Sequence, residues 1–162
     1  MKKLFFALLL FFPFLVGFGI FFLDQEYFLC PIVYKHDIIV RSDSRGNGFF
    51  GTNRNGQRTH AGVDLFGKIG TPVLASRSGW VIAAERNHGM GNFVKLRHRD
   101  NLITVYGHMS GINVQAGRYV RQGQVVGWVG KTGNANHPAM LPHLHFEVRK
   151  DGTPVDPLQY LD

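Results

Sequence analysis

Hydrophobic positions along this chain follow two patterns. Leu4 to Leu23, "LFFALLLFFPFLVGFGIFFL", is twenty residues without a charge. An uncharged run of about 18 or more residues predicts a membrane-spanning helix, and Pro13 is tolerated inside one. From residue 61 the pattern changes. "GVDLF", "TPVLAS", "GWVIAAE", "NFVKLRH", "LITVYGHM", "QVVGWVG" and "HLHFEVR" are short and rich in β-branched or aromatic residues. Turn residues such as "RSG", "RDN" and "RQG" divide them, which is a strand-and-hairpin pattern. Nothing after residue 24 sustains a 3.6-residue period. The chain is therefore expected to be all-β, a compact antiparallel sheet or sandwich domain behind one N-terminal transmembrane helix. Its expected divisions are an anchor over 1–23, a tether over 24–45 and a single domain over 46–162.

Composition sharpens the division. Nine of the fourteen Phe lie in the first thirty residues, so aromatic content describes the anchor more than the domain. Lys2 and Lys3 precede the run and Asp24 and Glu26 follow it, which orients the N-terminus to the cytoplasm and the remainder to the periplasm or outside. Cleavage as a signal peptide would need a small-x-small site, and Gly17-Phe18-Gly19 is a poor one, so a retained anchor is expected; cleavage would give a secreted protein. Cys30 follows "YFL", too bulky for a lipid-attachment site, and one Cys permits no internal disulfide. The tether can span at most about 70 Å, which keeps the domain near the membrane. Beyond the anchor, sixteen Lys and Arg face eleven Asp and Glu. That balance suits a polyanionic cell envelope, and the location argues against nucleic acid.

Two tempting motifs fail. "VGKTG" resembles a phosphate loop, but Val125 stands where the first Gly belongs. "VQAGRYVRQGQVVGWVG" has the turns of a carrier domain without a Lys at a recognisable hairpin tip.

Three clusters of histidine carry the chemistry: His60 with Asp64 in "THAGVD", His108 in "YGHMS", and His143 with His145 in "HLHFEV". As a strand, "HLHFEV" places His143, His145 and Glu147 on one face and Leu144, Phe146 and Val148 on the other. His60 and Asp64 would stand about 13 Å apart in a flat strand. A bend at Gly62 brings them together. Asp64 opens a buried strand, where a carboxylate is costly unless it is paired or binds a cation. Imidazole and carboxylate donors suit zinc, whose catalytic sites take three protein ligands. One of the two strand histidines completes the set; the other is left for acid–base work beside it. His36, His88, His98 and His137 read as ordinary surface or loop residues, with His98 at a solvated strand end.

"HAGVD", "YGHMS" and "HLHFEV", with "GTPVLASRSGWV", "GNFVKLRH" and "VRQGQVVGWVGKTGNA", resemble the lysostaphin/LytM-type zinc metallo-endopeptidases acting on peptidoglycan. The resemblance covers about residues 46 to 161. It implies a duplicated-hybrid-motif β core with a groove for the peptide crosslink, Zn2+ on His60, Asp64 and His145, and catalytic roles for His108 and His143. Glu147 then becomes a supporting or groove residue. Two departures stand out: "NHPAML" lengthens the loop before "HLH", and the loop before His60, "GFFGTNRNGQR", holds no Tyr to stabilise an oxyanion. Arg54 and Arg58 in that loop read as solvated. A Gly–Gly bridge and a D-alanyl–diamino-acid crosslink both remain open as the bond cut. The competing reading is a non-catalytic wall-binding regulator of other hydrolases.

Overall fold

The computed structural model describes residues 27–54, 56 and 58–161. The anchor expected over 4–23 lies outside them. Among the described residues no helix is long and apolar enough to cross a membrane.

Among the described residues, fourteen strands and two 3-10 turns follow one another. Four two-residue strands come first: β1 (Ser42–Asp43), β2 (Gly46–Asn47), β3 (Asn53–Arg54) and β4 (Arg58–Thr59). Next come β5 (Val63–Phe66), β6 (Pro72–Leu74), β7 (Gly79–Asn87), β8 (Gly91–Arg97) and β9 (Leu102–Met109). The rest are β10 (Gly111–Ile112), β11 (Tyr119–Val120), β12 (Val125–Trp128), β13 (His143–Lys150) and β14 (Thr153–Val155). The all-β antiparallel architecture is the one the strand pattern predicts.

A seven-stranded sheet runs β11-β7-β8-β9-β13-β14, with β5 also pairing β13, and a three-stranded sheet runs β10-β12-β6. Leu144, Phe146 and Val148 are fully buried, packed with Val63, Leu65, Val73, Val94, Tyr106 and Val126 in the core. This is the apolar half of the alternation in β13, and it fixes register, since a one-residue slip would turn the two histidines and Glu147 into the apolar core.

β13 organises the site because it is paired on both sides. One edge takes β9, with His145 opposite Gly107; the other takes β5, with His145 opposite Asp64. A Cβ at Gly107 would meet Met90 at 2.9 Å and the His145 Cβ at 3.4 Å, so the bare backbone there gives the ring its space. The β7–β8 turn and Met140 of the "NHPAML" loop line one groove with the β13 histidines. The opposite end of β7, at Gly79, lies where Gln122 bonds both the Ser78 hydroxyl and the Tyr27 carbonyl.

The sequence predicts a tether over 24–45, and over its described part, 27–45, the structure differs. Phe28 and Ile32 are buried at 3% and 2% exposure, Leu29 N–H donates to the Ser76 carbonyl, and Phe28 bridges Leu161. Val40 bridges Leu65, and Arg41 N–H donates to the Asp64 carbonyl. These residues cover β5 and the ends of the core. The apolar side chains that read as a linker lack helical or strand periodicity because they fill separate gaps.

His98 also departs from its expected solvated place. It is 7% exposed, with Nδ1 on the Ser78 carbonyl at 2.9 Å and Nε2 on the Thr104 hydroxyl at 2.8 Å.

Candidate active site

The chain bends at Gly62, as the separation of His60 from Asp64 requires. A Cβ there would stand 2.3 Å from the Phe146 carbonyl oxygen, so the approach of this turn to β13 demands glycine. The bend brings His60 Nε2 to 3.1 Å from Asp64 Oδ1. His145 Nδ1 lies 2.9 Å from the same oxygen and 3.0 Å from His60 Nε2. Three donor atoms thus form a near-equilateral triangle, and all three residues are buried.

Each ring has its second nitrogen committed. His60 Nδ1 is 2.9 Å from the Phe49 carbonyl, His108 Nδ1 is 2.9 Å from the Thr132 carbonyl, and His143 Nδ1 is 2.7 Å from the Leu141 carbonyl. A carbonyl only accepts, so these nitrogens carry N–H and leave Nε2 with a lone pair. His145 is turned the other way: Nε2 faces Glu147 Oε1 at 3.0 Å, and Nδ1 is left for the triangle. Glu147 is held in turn by Arg149 Nε at 2.7 Å. Orientation of ligand imidazoles by an outer carboxylate or carbonyl is a general feature of metal sites.

The donor set fits zinc. Imidazole and carboxylate atoms bound at about 2.0–2.2 Å in a tetrahedral set stand about 3.3–3.6 Å apart. The three donor atoms lie 2.9–3.1 Å apart, so a few tenths of an ångström of outward movement gives that spacing. The Asp64 carboxyl would rise through burial, but hydrogen bonds from His145 and His60 and the charge of His145 hold it well below its usual range. Burial would lower His145, yet Asp64 and Glu147 raise it to about 9.

His108 and His143 face the triangle from its other side. Their ring centroids are 5.1 Å apart and that of His108 is 5.7 Å from His145. His143 Nε2 is 3.8 Å from Asp64 Oδ1. Burial, then the charges of His145 and His143, push His108 down to about 3; burial also lowers His143. His108 has a left-handed backbone, φ 61°, with its N–H bonded to Met90 O at 2.7 Å. Non-glycine residues rarely accept that conformation, and such outliers cluster at working sites.

All five sequence-selected residues therefore converge, at the base of an open groove of about 1150 Å³. The remaining histidines do not join them: His36, His88 and His137 are exposed, though His88 lines the groove. Arg58 is exposed as expected. Arg54 is not solvated in the way its loop suggests; its Nη2 lies 3.0 Å from Asp64 Oδ2 with the side chain 19% exposed. Arg41, which the sequence reading leaves in the tether, is 1% exposed and reaches the same oxygen with Nη2 at 3.0 Å. Nothing in local spacing links positions 41 and 64. The only hint is a cation closing the apolar run "IIV".

The sequence profile of the group described as Peptidase family M23 matches residues 58–157. The chain belongs to peptidase family M23. Among M23 relatives it is 43% identical over 101 residues to the DD-carboxypeptidase/endopeptidase Mpg of Neisseria meningitidis serogroup B, covering 62% of this chain and 22% of that protein. The solved structure of the peptidase lysostaphin from Staphylococcus simulans superposes with a TM-score of 0.60 at 36% identity, covering 74% of this chain and 48% of that one. The SpoIIQ–SpoIIIAH pore-forming complex gives a TM-score of 0.68 at 32% identity, covering 85% of this chain and 92% of the matched chain. This M23 chain spans about a fifth of the length of Mpg.

Proposed function

We propose that this protein is a zinc-dependent endopeptidase that hydrolyses peptide crosslinks of bacterial peptidoglycan, with residues 4–23 holding it at the cytoplasmic membrane and the domain facing outward. The observation that supports this most is the convergence of donor atoms. His60 Nε2, Asp64 Oδ1 and His145 Nδ1 lie 2.9–3.1 Å from one another, and the rings of His108 and His143 stand beside them.

His60 Nε2, Asp64 Oδ1 and His145 Nδ1 would hold the ion. Zinc bound there supplies Lewis acidity, polarising a carbonyl and making water more acidic. The chain's own residues supply the proton traffic. His143 and His108 are neutral near pH 7, because burial lowers both. Their Nε2 atoms can each accept a proton from an attacking water, and the resulting imidazolium can donate it to the leaving amine. The carbonyls of Leu141 and Thr132 keep those rings in the one tautomer that allows it. The groove is open to solvent and, at about 1150 Å³, larger than a small molecule needs, which supports a polymeric substrate.

The test is release of soluble muropeptides from purified peptidoglycan by the zinc-loaded full chain in detergent, read by mass spectrometry. Release that stops on chelation and returns with zinc supports the proposal, and the product masses name the bond. A second reading, a non-catalytic wall-binding regulator, is favoured by the likeness to a chain solved in a pore-forming complex. It predicts wall binding without release. The complete donor set speaks for the enzyme.

A further inference from the structure

We propose that Arg41 is a positioning residue that confines Asp64 to a single coordinating oxygen, and that with Asp43 it ties this ligand to the setting of His143. The inference rests on the zinc reading above. It concerns residues outside the stretch matched by the family, which begins at residue 58.

Arg41 is among the largest fully buried side chains, and every bond it makes has a purpose. Nη2 and Nε reach Asp64 Oδ2 at 3.0 and 3.4 Å. Nη1 reaches Asp43 Oδ1 at 2.7 Å and the Gly46 carbonyl at 3.2 Å. Arg54 adds a third donor to Oδ2. An oxygen receiving three N–H donors has no lone pair left for a metal. Oδ1, by contrast, faces only imidazoles, those of His60 and His145 with His143 Nε2 farther off at 3.8 Å. Two guanidiniums on one oxygen, one buried and one half-buried, and none on the other thus select a monodentate carboxylate. The backbone fixes the same relation, because Arg41 N–H donates to Asp64 O, Gly48 N–H to Arg41 O and Asp64 N–H to Gly48 O, each at 2.8 Å. A Cβ on Gly48 would stand 2.6 Å from the Asp64 Cβ, so this wrap is closed around the ligand.

The second arm runs the other way. Asp43 Oδ2 accepts from Leu141 N–H at 2.8 Å, and the Leu141 carbonyl accepts from His143 Nδ1 at 2.7 Å. Asp64, Arg41, Asp43, Leu141 and His143 form one unbroken series of polar contacts. A guanidinium does this where an ammonium cannot, since its planar fork serves two carboxylates at once.

The experiment uses the full chain with Arg41→Met, Arg41→Lys and Asp43→Ala. Zinc affinity is measured by competition with a chromophoric chelator, and coordination number by the visible absorption of the cobalt-substituted protein. Arg41→Met is expected to weaken zinc about 10–100-fold, the usual effect of removing an outer partner. Its cobalt bands should weaken as Oδ2 joins the ion. Arg41→Lys should recover part of the affinity, while Asp43→Ala should keep metal affinity within a few-fold and lower kcat with KM unchanged. A folded Arg41→Met protein with unaltered affinity and spectrum overturns the inference. If that variant does not fold, an unaltered Arg41→Lys protein overturns it equally. Failure of the unsubstituted chain to take up zinc would instead remove the metal reading on which the inference stands.

Discussion

His145 turns Nδ1 to Asp64 Oδ1 at 2.9 Å because its Nε2 is held by Glu147 Oε1 at 3.0 Å. Without Glu147 the ring could flip or take the other tautomer, and Nδ1 would no longer be reserved. Glu147→Ala should therefore weaken zinc about 10–100-fold while leaving the donor set intact. Chelator competition reads this directly; an affinity within two-fold of the unsubstituted chain would refute the assignment.

His143→Ala and His108→Ala should separate chemistry from metal binding. Each is expected to lower kcat by about 100- to 10,000-fold, the range for losing a positioned acid–base group. Zinc content by plasma emission should stay near one per chain. His60→Ala and Asp64→Ala should lose the metal as well. Loss of zinc from His143→Ala would mean that the two strand histidines have been assigned in the wrong order.

Acid should expel the ion. Asp64 and Glu147 raise His145 to about 9 despite its burial, so the metal-free ring is protonated at neutral pH. Zinc must displace that proton, and apparent affinity should fall about tenfold per unit as pH drops below about 9. Titration calorimetry at pH 7.5 in buffers of different ionisation enthalpy should count about one proton released from this ring. A count of zero would contradict the prediction.

Gly62→Ala should destabilise the domain although it adds only one methyl group. The new Cβ would meet the Phe146 carbonyl oxygen at 2.3 Å, a backbone atom that cannot move without breaking β13. A cost of about 1–3 kcal/mol or more is expected for such overpacking. The thermal midpoint of the zinc-free protein is the readout. An unchanged midpoint would mean that the turn can move away.

Cys30 should react slowly. Burial pushes its thiol up, against a backbone hydrogen bond at Ile32 that lowers it, and the thiolate is the reactive form. Alkylation at pH 8 should be about tenfold or more slower in the folded chain than in denaturant. Equal rates would show that residues 28–32 detach readily from the domain.

The metal triangle was legible because its parts are local. A four-residue spacing across one glycine and a two-residue spacing on one strand need only standard bends and pleats to converge. Glu147 was legible by the same alternation. Arg41 was not, because its relation to Asp64 exists only once segment 40–48 has folded over β5. Arg54 was misread for a related reason: a loop rich in Gly and Asn says nothing about which side chain turns inward. His98 shows the converse, since its partners Ser78 and Thr104 come from two other segments and the neighbouring arginines made the stretch look wet.

Phe28 and Ile32 sit in the core, and Tyr27 is bonded at the Gly79 end of β7, whereas Asn87 at its other end lines the groove. Eight residue steps of strand separate the two ends, about 26 Å at 3.3 Å each. A contact made at Tyr27 therefore stands a full strand length from the groove, so the two ends of β7 can be engaged at the same time.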